Sequence, residues 1–222
     1  MSAPGITLAI DASTYEGSVA VLRDGVPVAE RIVAMRAETE ERLMPAVRDA
    51  VGDAGTTIAQ VSRVVCGEGP GSFTSLRIAG AIAKGIAFGN GVPLFAVSSL
   101  ALVVAGSRGL PSGNYLAVLD AMRGERFVAP FHRDEKGLVT PTGSLSRVPA
   151  NEVKSVAATL GATAVGPLQD VKAAPHAGGV AVMLAAIVRA GAVSTDAWEP
   201  NYGRLTEAQV KWEAAHGRPL GA

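Results

Sequence analysis

A chain of 222 residues can hold one large domain or two small ones, each with its own core, and the order of its elements favours two. Lys plus Arg and Asp plus Glu number 20 each, so no surplus of positive charge is present to hold a polyanion, and nucleic-acid binding by the chain alone is not expected. Cys66 is the single cysteine, and His132, His176 and His216 are far apart in sequence, which leaves no intrachain disulfide, no zinc motif and no expected metal or cofactor.

The N-terminal MSAPGITLAID has no basic residue before its apolar run, and the longest uncharged helical stretches contain glycine or stop short of a span. A soluble, cytoplasmic protein is therefore expected. Ile6 to Ile10 reads as a strand ending in the polar turn Asp11-Ala12-Ser13-Thr14. Asp11 could hold a metal-bound water in a phosphotransferase, or bond its own turn, the commoner use of such a residue. Ser18 to Leu22 and Val26 to Ala34 are two further strands joined by Arg23-Asp24-Gly25, so three antiparallel strands open the fold.

Glu38 to Ala54 reads as a helix, with Leu43, Val47, Ala50, Val51 and Ala54 at helical spacing, Gly55 closing it, and Pro45 bending it or marking its first turn. The β-branched run Val61 to Cys66 enters a glycine turn that opens directly into a long apolar helix. Gly69 and Gly71 allow unusual backbone angles, and Ser72 or Thr74 can cap a helix start that favours an anion. Yet Gly67-x-Gly69-x-x-Ser72 ends on serine where a dinucleotide fingerprint has its third glycine, and no GxxxxGK[ST] pattern occurs. Both a phosphate-binding and a purely structural turn remain open at this point.

In the helix that follows, Arg77 and Lys84 share one narrow stripe. Leu76, Ile78, Ile82 and Ile86 give bulk, while Ala79, Gly80, Ala81, Ala83 and Gly85 let another backbone come close. The helix is either central to the core or presents an outer face to a partner chain. Val92 to Ser98 is a strand, with Ser98 or Ser99 capping a helix from Leu100 to about Ala105. The turn-rich residues 106 to 114 form the best boundary. Strand Tyr115 to Asp120, turn 121 to 124 and strand Glu125 to His132 then restart the order of the first unit. Asn151 to Leu160 and Val180 to Ala190 are helix candidates around the strand Ala162 to Val165. The closing stretch with two tryptophans is a packed tail or a docking segment.

These residues resemble the TsaB (YeaZ) family of tRNA threonylcarbamoyladenosine biosynthesis proteins. The likeness is carried by ITLAIDAST with SVAVLRDG, EERLMPAVRDAVGDAG, GEGPGSFTSLRIAGAIAKGIAFGNGVPLFAVSSL, YLAVLDAMRGERFVAPF and the Tyr202-to-Trp212 stretch. The GPGSFT-x-LRI element is the specific one. The resemblance implies a duplicated α/β fold of the actin, hexokinase and sugar-kinase type, with lobes at residues 1–108 and 109–222. It implies a non-catalytic scaffold that pairs with the catalytic TsaD paralogue and the ATPase TsaE to form threonylcarbamoyladenosine beside the anticodon, with tRNA bound only within the complex.

In that family pairing, or self-pairing, uses the helices Glu41 to Ala54 and Thr74 to Phe88. The interface residues implied are Leu43, Val47, Ser75, Leu76, Ala79, Gly80, Ala83 and Ile86. Asp11, Ser13, Gly69, Gly71, Ser72 and Asp120 fall at degenerate phosphate-loop positions. Two departures stand out: Ser75 and Ala79 replace the family's usual glycines at the implied interface, and AETEER lacks the histidine usual before the first helix. Two other functions compete. An ATP-dependent kinase or hydrolase of the same fold would use Asp11 and Asp120, but DAST and DAMRGE lack glycine-rich phosphate hairpins. A glycopeptidase would need a metal site that these histidines do not make.

Overall fold

The computed structural model describes residues 5–35, 41–203, 212 and 215–217. Two mixed sheets form the frame. In the first, β1 (Ile6–Asp11), β2 (Glu16–Arg23), β3 (Val26–Ala34), β4 (Val61–Gly67) and β5 (Leu94–Val97) lie in the order β3-β2-β1-β4-β5. β1, β2 and β3 are antiparallel neighbours, whereas β4 and β5 run parallel to β1. The tight β2–β3 turn is made by Asp24 and Gly25, both at positive φ (53° and 84°), as a two-residue hairpin requires.

The second sheet holds β6 (Gly113–Asp120), β7 (Glu125–Arg133), β8 (Val139–Pro141), β9 (Ser146–Pro149) and β10 (Thr163–Val165). Its order is β10-β6-β7-β8, with β9 also paired to β7 and β10 parallel to β6. β6, β7, β8 and β10 thus repeat the places of β1, β2, β3 and β4. The duplicated α/β architecture implied by the resemblance is the architecture found.

Helices fill the layers around the sheets. α1 (Leu43–Asp53) and α2 (Phe73–Asn90) cover the outer face of the first sheet, where Leu8, Ile10, Val19 and Cys66 meet Val47, Ala79 and Ala83. α3 (Ser99–Ala105) and α5 (Val180–Ala190) lie between the sheets in one continuous core that runs from Ala9 and Val65 to Ala117 and Phe127. α4 (Val153–Thr159) closes the far side of the second sheet. β1 and α3 are buried at every residue because each has apolar layers on both sides.

α1 begins at Leu43 rather than Glu38, and the residues from 36 to 40, including most of AETEER, lie outside the described ones. Glu41 accepts bonds from the Leu43 and Met44 amides, a carboxylate at the positive end of a helix, and Pro45 falls in the first turn, where its missing amide costs nothing. After β10 the chain returns to the first lobe. Ala177 donates to the Ser18 hydroxyl (2.9 Å), Val193 bridges to Leu94 on β5, and Trp198–Gly203 runs along α2 towards the space between the lobes.

Candidate inter-lobe site

A cleft of about 1470 Å³ opens where the ends of β1 and β6 face each other, walled by the start of α2, the β6–β7 turn and Tyr202–Gly203. Tyr15, Phe73, Met122 and Leu168 give it an apolar rim, and Arg123, Arg126 and Arg147 give it cations. Arg126 pairs with Asp120 (2.8 Å) and Arg147 with Glu125 (3.2 Å). Met122 and Arg123 both sit at positive φ (63° and 53°), and the Tyr15 hydroxyl donates to Met122 Sδ at 3.5 Å across the cleft mouth. In sequence, AMRG at residues 121–124 looks like an ordinary turn; the signal of a site is the pair of long side chains, Met122 and Arg123, where such a turn favours Asn and Gly.

Of the six degenerate phosphate-loop positions, Ser13, Gly71, Ser72 and Asp120 line the cleft. Asp11 points inward and is fully buried. Its Oδ1 accepts from the Ser13 amide (3.0 Å) and hydroxyl (2.8 Å), and its Oδ2 from the Ser99 hydroxyl (2.5 Å). Burial nevertheless pushes its carboxyl above the usual range, with these bonds pulling the other way. A carboxylate so enclosed has no oxygen facing the cleft.

The glycine loop is likewise filled by the chain itself. The Glu68 amide donates to Val97 O (2.9 Å), the Gly69 amide to Ser99 Oγ (3.0 Å) and the Ser72 amide to Ser13 O (2.8 Å). A β-carbon at Gly71 would lie 2.0 Å from Ser13 O, and one at Gly69 (φ 95°) 2.4 Å from Asn201 O. These glycines let β1, the loop and the returning segment touch backbone to backbone. Among the described residues no three His, Cys, Asp or Glu side chains gather as a metal site. Burial raises the Cys66 thiol far above its ordinary value, which leaves it a neutral core group, and raises the Glu68 carboxyl too.

The implied interface residues are packed within this chain. Leu43, Val47, Ser75, Leu76, Ala79, Gly80, Ala83 and Ile86 are all buried. A helix apolar on most sides gives little sign of which side faces in, and the small residues serve contacts at home: Ala79 and Ala83 meet the sheet, and Gly80 meets Pro200 and Trp198. The departures at Ser75 and Ala79 therefore lie inside the lobe, Ser75 Oγ being 3.0 Å from Ser72 Oγ. What α2 turns outward is Phe73, Thr74, Arg77, Ala81, Gly85, Phe88 and Gly89, with Phe88 74% exposed. Trp198 and Tyr202 are packed against the helix; most of the stretch beyond Gly203 lies outside the described residues.

A family model described as "TsaD: tRNA N6-adenosine threonylcarbamoyltransferase" matches residues 33–195. The chain is 38% identical over 132 residues to the tRNA threonylcarbamoyladenosine biosynthesis protein TsaB of Escherichia coli, a match covering 59% of this chain and 57% of that protein. It is 36% identical over 118 residues to the TsaB of Bacillus subtilis, covering 53% and 51%. The chain thus spans little more than half the length of these relatives. The solved structure of YeaZ from Pseudomonas aeruginosa superposes with a TM-score of 0.74 at 27% identity, over 89% of this chain and 99% of that one. No helix among the described residues is long and apolar enough to cross a membrane. With the family model matched over most of its length and relatives and structure agreeing, the chain belongs to the tRNA N6-adenosine threonylcarbamoyltransferase (TsaD) family and, within it, to the TsaB (YeaZ) group.

Proposed function

We propose that this chain is a non-catalytic scaffold subunit in the formation of threonylcarbamoyladenosine beside the anticodon of tRNA. It pairs with a catalytic TsaD-like paralogue through the outward faces of α1 and α2, and a TsaE-like ATPase joins the pair. Residues 1–108 supply the pairing helices, the second lobe begins at residue 109, and residues 177–203 pack back on the first. The observation that carries the reading is the fate of the phosphate-loop positions. An ATP-using enzyme of this fold needs an acid facing a metal-bound water and loop amides facing phosphate. Here Asp11 is enclosed by Ser13 and Ser99, and the loop amides are bonded to Val97, Ser99 and Ser13. The names of the relatives supply the substrate class. Balanced charge makes tRNA binding a property of the complex, with the cytoplasm as its compartment. Without the paralogue, the same helices can pair two copies.

The test is reconstitution with the TsaD-like and TsaE-like proteins of the same organism, following modified adenosine in tRNA by mass spectrometry. The expected result is product only when this chain is present, with no ATP turnover by the chain alone. Steady ATP turnover by the isolated chain, lost in Asp11→Asn, would instead assign it to the kinases and hydrolases of the fold; peptide cleavage would revive the glycopeptidase reading.

A further inference from the structure

We propose that the returning segment Trp198–Tyr202 forms one wall of the surface on which the partner docks, so that pairing through α2 requires this strap in place. The inference rests on the reading of α1 and α2 just given and adds the chemistry of the partner. The strap is held at several points. The Asn201 amide donates to Glu68 O at 2.7 Å, and Gly69 lies against Asn201 O. Pro200 and Trp198 cover Gly80, where an added β-carbon would come within 3.4 Å of the proline ring. What the small residue admits at this point on α2 is thus the proline and indole rings of the chain's own strap.

The strap also fixes the two charges of the helix. The Arg77 guanidinium lies 4.2 Å from the Phe73 ring centroid and 5.8 Å from that of Tyr202, and its Nε donates to the Tyr202 hydroxyl at 3.3 Å. Lys84 Nζ lies 5.9 Å from the Trp198 ring centroid. Long cationic side chains held against rings lose less freedom when a partner meets them. Arg77 and Lys84 are the only charged residues of α2, and they stand two turns apart, roughly 10 Å along the axis. Beside them run Ala81 and Gly85, which admit close approach, and Phe88, an aromatic of the kind that anchors interfaces. The matching partner element is a helix with a small or apolar stripe, flanked by carboxylates two turns apart.

The experiment is titration of the TsaD-like subunit into this chain by calorimetry at two salt concentrations, with circular dichroism on every variant. Ala81→Arg tests the face, Trp198→Ala and Tyr202→Leu test the strap, and Arg77→Gln with Lys84→Gln tests the charges. All are expected to fold. Ala81→Arg should abolish pairing, each strap variant should weaken it about tenfold or more, and the double charge variant should weaken it and flatten its salt dependence. If Ala81→Arg abolishes pairing while the strap and charge variants leave it unchanged, the strap inference is overturned and the reading of α2 stands. If Ala81→Arg has no effect, the α2 reading itself fails. Should Trp198→Ala unfold, the charge pair and Tyr202→Leu still decide. A chain that instead dimerises through this face, in sedimentation of the protein alone, and leaves the TsaD-like subunit unbound would assign the surface to a second copy and overturn the acidic partner.

Discussion

Arg133 on β7 reaches across the point where the chain passes from one lobe to the other. It donates to the carbonyl oxygens of Leu110 (3.0 Å), Val104 at the end of α3 (3.2 Å) and Gly137 (3.3 Å). Arg133→Met keeps most of the side-chain stem and removes the donors, so stability in urea should fall by about 1–3 kcal/mol. Glu68 acts in the opposite sense. Its carboxyl is raised by burial, so the folded state holds the proton to higher pH than the unfolded chain does. That contribution is fully present below the unfolded value and is lost as pH rises through the folded one. Glu68→Gln should therefore be more stable than the parent at neutral pH, with the gain shrinking to nothing under acid, as paired denaturant titrations would show. Some of this residue chemistry was legible in the sequence: an acid at a strand end followed by a serine two places on is a turn that can bond itself. Ser99, which bonds the other oxygen of Asp11 from 88 residues away, has no local pattern linking the two.

At the scale of elements, the glycine loop and α2 make opposite demands on substitution. Gly71→Ala would push a β-carbon against the Ser13 carbonyl, which is backbone and cannot rotate away, so a loss of about 1–3 kcal/mol in thermal or urea unfolding is expected. On α2, Ala79→Arg would place a charge among Leu8, Ile10 and Cys66, and its soluble yield and helicity should collapse, a cost of about 3–5 kcal/mol. Ala81→Arg, two residues on, should leave both untouched. The strands with strong apolar or alternating runs, β1, β2, β6 and β7, could be read from sequence, as could the existence of α2. β8 and β9 could not: VTP and SRVP are short, half-exposed and without alternation, and they are strands because β7 offers them an edge. The orientation of α2 was hidden for a different reason, since glycine and alanine all round supply no contrast between its sides.

Over the whole molecule, the two sheets share α3 and α5 as one core, and the lobes are expected to unfold together. Leu102, fully buried in α3, is part of that core. Leu102→Ala should cost about 2–5 kcal/mol. Both lobes should be lost in a single transition, with tryptophan fluorescence and far-ultraviolet dichroism tracing coincident urea curves. Sequence showed that the architecture is duplicated, because strand pairs and turns recur. It did not show the shared middle layer, because an apolar helix such as SLALVVA does not say which sheets it lies between, and the return of residues 177–203 to the first lobe is marked by no motif. That return sets an order of events on the ribosome. The stripe of α2 around Gly80 is complete long before its cover is made: roughly 120 residues separate it from Tyr202, about 6–25 s of synthesis at ~5–20 residues per second. Throughout that interval the nascent first lobe offers a bare small-residue groove to whatever is nearby, a chaperone, another nascent copy or a waiting partner, and synthesis of Trp198–Tyr202 closes it.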